Sequence, residues 1–316
     1  MLPVFANIAS VFAIILIGFL AARTKRITPE VTKDLSWLLI NIATPCMVLY
    51  SMSRQEFTME TFPQVWQTAA LMLFAMVLIS ILSVPVVRLL GVEQNDRGIY
   101  RIMLALTNNG FMGYPLSLAV FGQQGLFLMI IANSIFNIYF YSMGIWLMIY
   151  DRHETMHWKQ LLRAFFSPPL MASIAGLVIF FAGFRFPGPG EQFLQTVGSM
   201  MVPLSMIIIG IQLSASNARR LLTNHPLTVS VMLRLVAVPA ILFLLFLFLP
   251  LEPMALLTVI FAMSMPMAAA SVVLAELYGA NTRLAAEAVF LTTLFSLVTL
   301  PVVALLLTAW LAGSSM

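Results

Sequence analysis

The sequence predicts an all-α integral membrane protein of ten transmembrane helices, arranged as two inverted five-helix repeats with interrupted helices four and nine. Three observations carry this. Of 316 residues, 61% are hydrophobic and 9% charged, with a mean hydropathy of +0.99, the composition of a chain whose solvent is mostly lipid. Ten apolar stretches approach the roughly 20 residues that one crossing requires. Prolines interrupt some of those stretches at corresponding places in the two halves of the chain.

The spans are expected at about 3 to 22, 35 to 52, 65 to 88, 99 to 121, 126 to 150, 168 to 184, 193 to 214, 227 to 249, 254 to 276 and 285 to 311. Little chain remains for a soluble domain. The segment Met1 to Ala22 lacks a basic leader and is followed, not preceded, by positive charge. That is the wrong polarity for a cleaved signal, so it is expected to stay as span one.

Thirteen of the sixteen Lys and Arg residues fall in alternate connections: Arg23, Lys25, Arg26 and Lys33; Arg88, Arg97 and Arg101; Arg152, Lys159 and Arg163; Arg219 and Arg220; and Arg283. The opposite connections hold only Arg54 and Arg185. Basic residues beside spans are retained on the cytoplasmic side, which predicts a multi-pass protein of the inner (plasma) membrane with both termini outside. An isoelectric point near 9.5 then follows from topology, and no basic domain supports a nucleic-acid partner. Cys46 is the only cysteine, which excludes an internal disulfide and a multi-cysteine metal site. It reads as a packing residue.

The longest polar connection, Asp151 to Phe166, separates a first half (1–150) from a second (168–316), with 151–167 as a cytoplasmic linker. Five spans per half is an odd number, so a repeat must be inverted. Pro45 and Pro203 fall near the centres of spans two and seven, as hinge or crossover positions, and Pro115 and Pro266 near the centres of spans four and nine. Matched interruptions of this kind are the best sequence pointer to a solute site between halves.

Span four is broken by Asn108-Asn109-Gly110-Phe111-Met112-Gly113-Tyr114-Pro115. A proline in a span removes a donor and clashes with the preceding turn, leaving half-helices whose ends lack partners. The new N-termini, expected near Pro115 and Pro266, favour an anion, and the preceding C-termini offer carbonyls. Asn108 and Asn109 supply donors and acceptors, and Gly110 and Gly113 permit close approach. Ser264 precedes the second break. In span five, Asn133, Asn137 and Tyr141 share one helical face, where the asparagines either line the site or bind neighbouring helices. Thr44 and Gln212 are further polar residues within spans.

Ionisable residues within spans are few. Arg234 is placed about two turns into span eight, roughly 10 Å from the cytoplasmic side, close enough to snorkel. Pairing with Glu287 or lipid phosphate is favoured over attraction of a substrate anion. Glu276 and Glu287 lie near cytoplasmic ends, so a proton relay on a central carboxylate has no candidate. His153-Glu154-Thr155-Met156-His157 matches the H-E-x-x-H zinc motif. It lies in the central connection, and the succeeding Trp158, Leu161, Leu162, Phe165 and Phe166, alternating with Lys159 and Arg163, read as an interfacial helix. No metal site, cofactor or enzymatic activity is expected.

The stretches IGFLAARTKRITPEVTKDLSWLLINIATPCMVL, ALTNNGFMGYPLSLAVFGQQG, SPPLMASIAGLVIFF and MPMAAASVVLAELYGANTRLAAEAVFLTTLFSLVTLPVV resemble the auxin efflux carrier family of secondary transporters, in the prokaryotic branch that includes malonate and malate carriers. The likeness covers essentially the whole chain. It implies a fold similar to bile-acid and sodium/proton antiporter proteins. Helices one, two, six and seven would form a scaffold, and three to five with eight to ten a transport domain in which broken helices four and nine cross. Residue by residue, the crossover prolines look like Pro115 and Pro266, and the polar pair before the first crossover looks like Asn108 and Asn109. The second crossover departs from the pattern, with Ser264 and Met265 in place of asparagines.

The function so implied is alternating-access transport of a small organic anion, a mono- or dicarboxylate such as malonate or malate. A coupling proton or sodium ion is left open, and the resemblance allows a homodimer through scaffold helices. The alternative is a membrane receptor that binds an organic acid without moving it.

Overall fold

In the computed structural model, residues 2–27, 31–59, 61–150, 166–214 and 224–314 are described. Nearly all of the 151–167 linker lies outside them, including the His153–His157 motif, as do Arg219 and Arg220. The described residues form helices: α1 (Leu2–Arg23), α2 (Val31–Arg54), α3 (Thr61–Leu89), α4 (Arg97–Ala105), α5 (Asn109–Ile149), α6 (Pro168–Ala182), α7 (Gly188–Ser214), α8 (His225–Phe246), α9 (Pro253–Met263), α10 (Ala270–Leu277) and α11 (Thr282–Ser314). No strand occurs among them. Seven, namely α1, α2, α3, α5, α7, α8 and α11, are long and apolar enough to cross a membrane, and α6 and α9 are apolar but shorter.

This differs from ten separate spans in two instructive places. The fourth and fifth expected spans run together in α5, whose course changes only at Gly122 (φ 67°, ψ −156°), a conformation open to glycine and costly for other residues. The ninth is divided between α9 and α10, and α4 stands apart from α5. The breaks are therefore real, but they cut the chain into unequal pieces.

Local sequence explains the helix starts. Thr58 and Thr61 cap α3 reciprocally, each hydroxyl accepting from the other's N–H at 3.1 and 2.9 Å. Asn224 caps α8 by accepting from Leu227 N–H at 3.2 Å, and Asn281 caps α11 by accepting from Leu284 N–H at 3.0 Å. Within helices, three prolines are absorbed by widened π turns, whereas Pro85 and Pro301 lie inside α3 and α11 without one. Turns Leu39–Ala43, Asn109–Gly113 and Leu233–Ala237 each end two residues before a proline, Pro45, Pro115 and Pro239. A proline cannot donate to the carbonyl four back and crowds it; a π turn relieves both. Pro45 thus sits in a continuous α2, and Pro203 lies just past a turn at Met200 in α7. Neither breaks its span.

Two packing groups result. α1 lies along α7, and α2 packs between α6 and the first part of α7. α3, α5 and α9 pack on one another, with α4 against α3, and α8 and α10 against α11. On α1, Ile8, Val11 and Ile15 are buried at helical spacing, while Leu16, Ile17 and Leu20 are exposed on the other face. The α1–α7 contact is backbone to backbone: a Cβ on Gly210 would stand 2.1 Å from Ile15 carbonyl oxygen, and one on Gly18 2.4 Å from that of Ile207. Gly210→Val must therefore push the helices apart. The expected loss is about 2 kcal/mol, read as a lower melting temperature in detergent, whereas Gly188→Ala, with nothing within 4 Å of its Cβ position, should leave melting nearly unchanged.

Candidate functional site

The two breaks meet. Thr107 and Met267 form an antiparallel bridge, flanked by hydrogen bonds from Asn108 N–H to Pro266 carbonyl at 2.8 Å and from Ala268 N–H to Leu106 carbonyl at 3.3 Å. Residues 106–108 and 266–268 thus cross as short extended segments deep in the protein. In an antiparallel pair, Asn108 and Pro266 would exchange two bonds, but proline has no N–H to return. The Asn108 carbonyl is left for the first turn of α5, accepting from Met112 and Gly113 N–H, both at 3.2 Å. Met267 N–H donates to the Thr292 hydroxyl of α11 at 3.2 Å, and that hydroxyl donates to Ala288 carbonyl at 2.7 Å.

The prolines are not where the new helices begin. α5 starts at Asn109 and α10 at Ala270, so Pro115 lies well inside α5 and Pro266 within the extended segment. The correction has a physical cause. The π turn at Asn109–Gly113 accommodates Pro115 without a break, and an extended residue needs no intrahelical donor.

The remaining candidates separate clearly. Asn109 is fully buried, and neither its Oδ1 nor its Nδ2 has a hydrogen-bond partner. Gly113 leaves room for that side chain: a Cβ there would lie 3.2 Å from Met129 Sδ and 3.4 Å from Asn109 Cβ. Gly110 faces open space, so close approach is not what it provides. Asn133 is committed elsewhere, its Nδ2 donating to the Tyr114 hydroxyl at 2.6 Å across the two arms of α5. Asn137 is half-buried, with Nδ2 unpartnered. Ser264 donates to the Ile260 carbonyl of its own helix at 2.7 Å.

Arg234 overturns its expectation. It does not reach the surface: its exposure is 0%, and Nη2 donates to the Met265 carbonyl at 2.9 Å, beside the second break. Glu287 is paired with Arg283 at 3.0 Å, one turn away on α11. A usable signal was present. Arg234 lies five residues before Pro239, as Asn109 lies six before Pro115 and Asn41 four before Pro45, and all three occupy π turns. At these three places a polar residue upstream of a proline stands in a widened turn, a feature frequent at functional sites, although no such turn precedes Pro85 or Pro301.

A cavity of about 380 Å³ opens beside the crossover, lined by Thr32, Gln212, Ala269, Val273, Phe290 and Thr293 among others. It separates α2 and α7 on one wall from α10 and α11 on the other. Among the described residues, no three His, Cys, Asp or Glu side chains are grouped for a metal.

A family model described as membrane transport protein matches residues 3–304. The chain belongs to that family. The match spans both halves, both breaks and the intervening linker, in agreement with the auxin efflux carrier resemblance. Membrane transport protein relatives include an uncharacterized transporter of Methanothermobacter thermautotrophicus, 24% identical over 295 residues, covering 93% of this chain and 95% of the relative. An uncharacterized transporter of Methanocaldococcus jannaschii is 26% identical over 297 residues, covering 91% and 93%. Membership makes the protein a multi-pass membrane transporter, and at the crossover two of its apolar stretches leave the helix deep in the protein.

Thr292 is the brace for the second extended segment. Thr292→Val preserves shape but leaves Met267 N–H buried without an acceptor, at an expected cost of about 1–3 kcal/mol. The measurement is thermal unfolding of the purified protein in detergent.

Proposed function

We propose that this membrane transport protein carries a small organic anion, a mono- or dicarboxylate such as malonate or malate, across the cytoplasmic membrane by alternating access. The carrying observation is the buried, wholly unpartnered Asn109 carboxamide at the crossing of two broken helices. A carboxamide in that position has two donors and an acceptor to offer a solute. It stands where α5 begins and within reach of the segment that leads into α10, so two helix N-termini are aimed into the same region.

Several features support an inverted repeat of five plus five helices. α1 packs on α7 as α6 packs on α2, which is the pairing expected when each half supplies equivalent helices. Each crossing is followed by a positive-φ glycine, Gly122 at 67° and Gly279 at 57°, at the turn into the next helix. In this reading α1, α2, α6 and α7 are the scaffold, and the other helices move against it. The alternating basic connections favour both termini outside.

Closure on one side and a cleft on the other support an inward-facing state. The cavity lies between scaffold α2/α7 and mobile α10/α11, at the end that carries Arg283. At the opposite end, Asn7 of α1 donates through Nδ2 to the Ala119 carbonyl at 3.0 Å. That carbonyl belongs to the last turn before Gly122, where the helix supplies no regular donor. Asn7 is therefore a latch that opening outward must release. With Cys46→Ser as background and a single cysteine in place of Val272 in the cavity wall, Asn7→Ala should slow modification by a bulky polar thiol reagent, by at most about fivefold, since one hydrogen bond is worth about 1 kcal/mol of the inward–outward equilibrium.

The decisive test is uptake of labelled malonate and malate into proteoliposomes under separately imposed pH, sodium and voltage gradients. Asn109→Ala at equal abundance is expected to lower uptake about tenfold, the loss of one charge-assisted hydrogen bond. Unaltered uptake would remove Asn109 from the site. Binding without counterflow of labelled solute would instead favour the receptor reading.

A further inference from the structure

We infer that Arg234 is the charge partner of the transported carboxylate and that its positive charge makes the carrier an exchanger. The inference rests on the anion-transport reading above and names the group that gives the site its sign. Half-helix ends alone do not. The crossover gathers the N-termini of α5 and α10, about +0.5 each, and the C-termini of α4 and α9, about −0.5 each. These four ends sum to about zero. Arg234 adds a whole charge.

That charge is buried and short of partners. Arg234 is 0% exposed, and of its five N–H groups one donates to Met265 carbonyl, at the end of α9. Nε and Nη1 have no acceptor. Among the described residues no carboxylate pairs with it; Glu56, Glu191 and Glu287 are held by Arg185, Arg54 and Arg283. A buried ion is tolerated when it is paired, so the missing partner is an anion. Met265 adjoins Pro266 and Asn109 adjoins Asn108, and Asn108 N–H bonds the Pro266 carbonyl at 2.8 Å. The Arg234 guanidinium, held at Met265, and the unpartnered Asn109 carboxamide are therefore each attached one residue from the same hydrogen-bonded pair, Asn108 and Pro266. Arg offers a carboxylate two parallel donors on either edge of its plane.

The consequence concerns the transport cycle. α8 belongs to the moving group, so Arg234 travels with the solute. Loaded with a monocarboxylate, or with a dicarboxylate protonated at one carboxyl, the crossover is close to neutral; empty, it must cross with an uncompensated cation in low dielectric. Return with cargo is easier than return without it.

The test uses full-length protein in proteoliposomes with labelled malonate outside and unlabelled malonate or none inside. For the wild type, internal malonate should accelerate uptake severalfold. Arg234→Gln should raise the half-saturating concentration at least about tenfold and abolish that acceleration. Arg234→Lys, which keeps charge but loses the planar fork, should raise half-saturation less and keep the acceleration; it serves alone if the Gln variant fails to fold, and unchanged half-saturation in it would then overturn the inference. Arg234→Gln with wild-type half-saturation and acceleration, and only a lower maximal rate, assigns Arg234 a purely structural role and overturns the inference while the anion reading stands. Wild-type vesicles that accumulate neither malonate nor malate above protein-free vesicles would remove both.

Discussion

Everything in this molecule answers to one constraint: a peptide group in apolar surroundings must find a partner inside the protein. Helices meet it residue by residue, which is why nearly every described apolar stretch is helical. Where helices stop, at Ala105 and Met263, the constraint is met once more by joining the two stops together. Leu106, Asn108, Pro266 and Ala268 satisfy each other across the bridge, Thr292 serves Met267, and Arg234 serves Met265. Each break is stable only because the other exists. Neither half of the chain could carry its interruption alone, so the crossover belongs to the interface between halves by physical necessity.

Much of this was legible in the residues. The cluster from Asn108 to Gly113 contains small and amide side chains that an uninterrupted span has no reason to hold, and the break lies at its leading edge. Pro266 likewise marked the second break. The exact helix starts were not legible, because a proline reads as a stop whether the backbone breaks or merely widens, and the π turns before Pro45, Pro115 and Pro239 are a tertiary outcome. Arg234 was misplaced for a related reason. Counting turns gives its depth, and depth alone permits snorkelling; only the packing of α8 against α4 and α11 closes the route to the surface. Asn133 was ambiguous because its partner, Tyr114, is distant in sequence and brought near by the reversal at Gly122.

Hydroxyls and amides differ in what they reveal. Ser134, Ser264, Thr292 and Thr293 each donate to a carbonyl four residues back in their own helix, at 2.7 Å in every case. A buried serine or threonine can thus be satisfied locally by a rotamer change, and its presence in a span says little about a solute. A carboxamide cannot, since its amide group and oxygen both need partners, and a guanidinium cannot at all. Asn109 and Arg234 are therefore the informative polar residues at the crossover, whereas Ser264 is explained by its own helix.

The same reasoning separates rigid from movable contacts. Between α1 and α7 the backbones touch through Gly18 and Gly210, leaving no side chain whose rotation could accommodate sliding, and such close-packed surfaces transmit motion as rigid bodies. Between α7 and α10 there is instead a cavity, and between α1 and the first arm of α5 the hydrogen bond of Asn7 is made to a helix end rather than into a helix. Contacts of this second kind can be exchanged at the cost of one hydrogen bond. A chain that is welded within one group of helices and only latched between groups has its softest direction along the boundary, and the crossover, with its unpartnered Asn109 amide and the buried Arg234, belongs to the group of α3, α4, α5, α8, α9, α10 and α11.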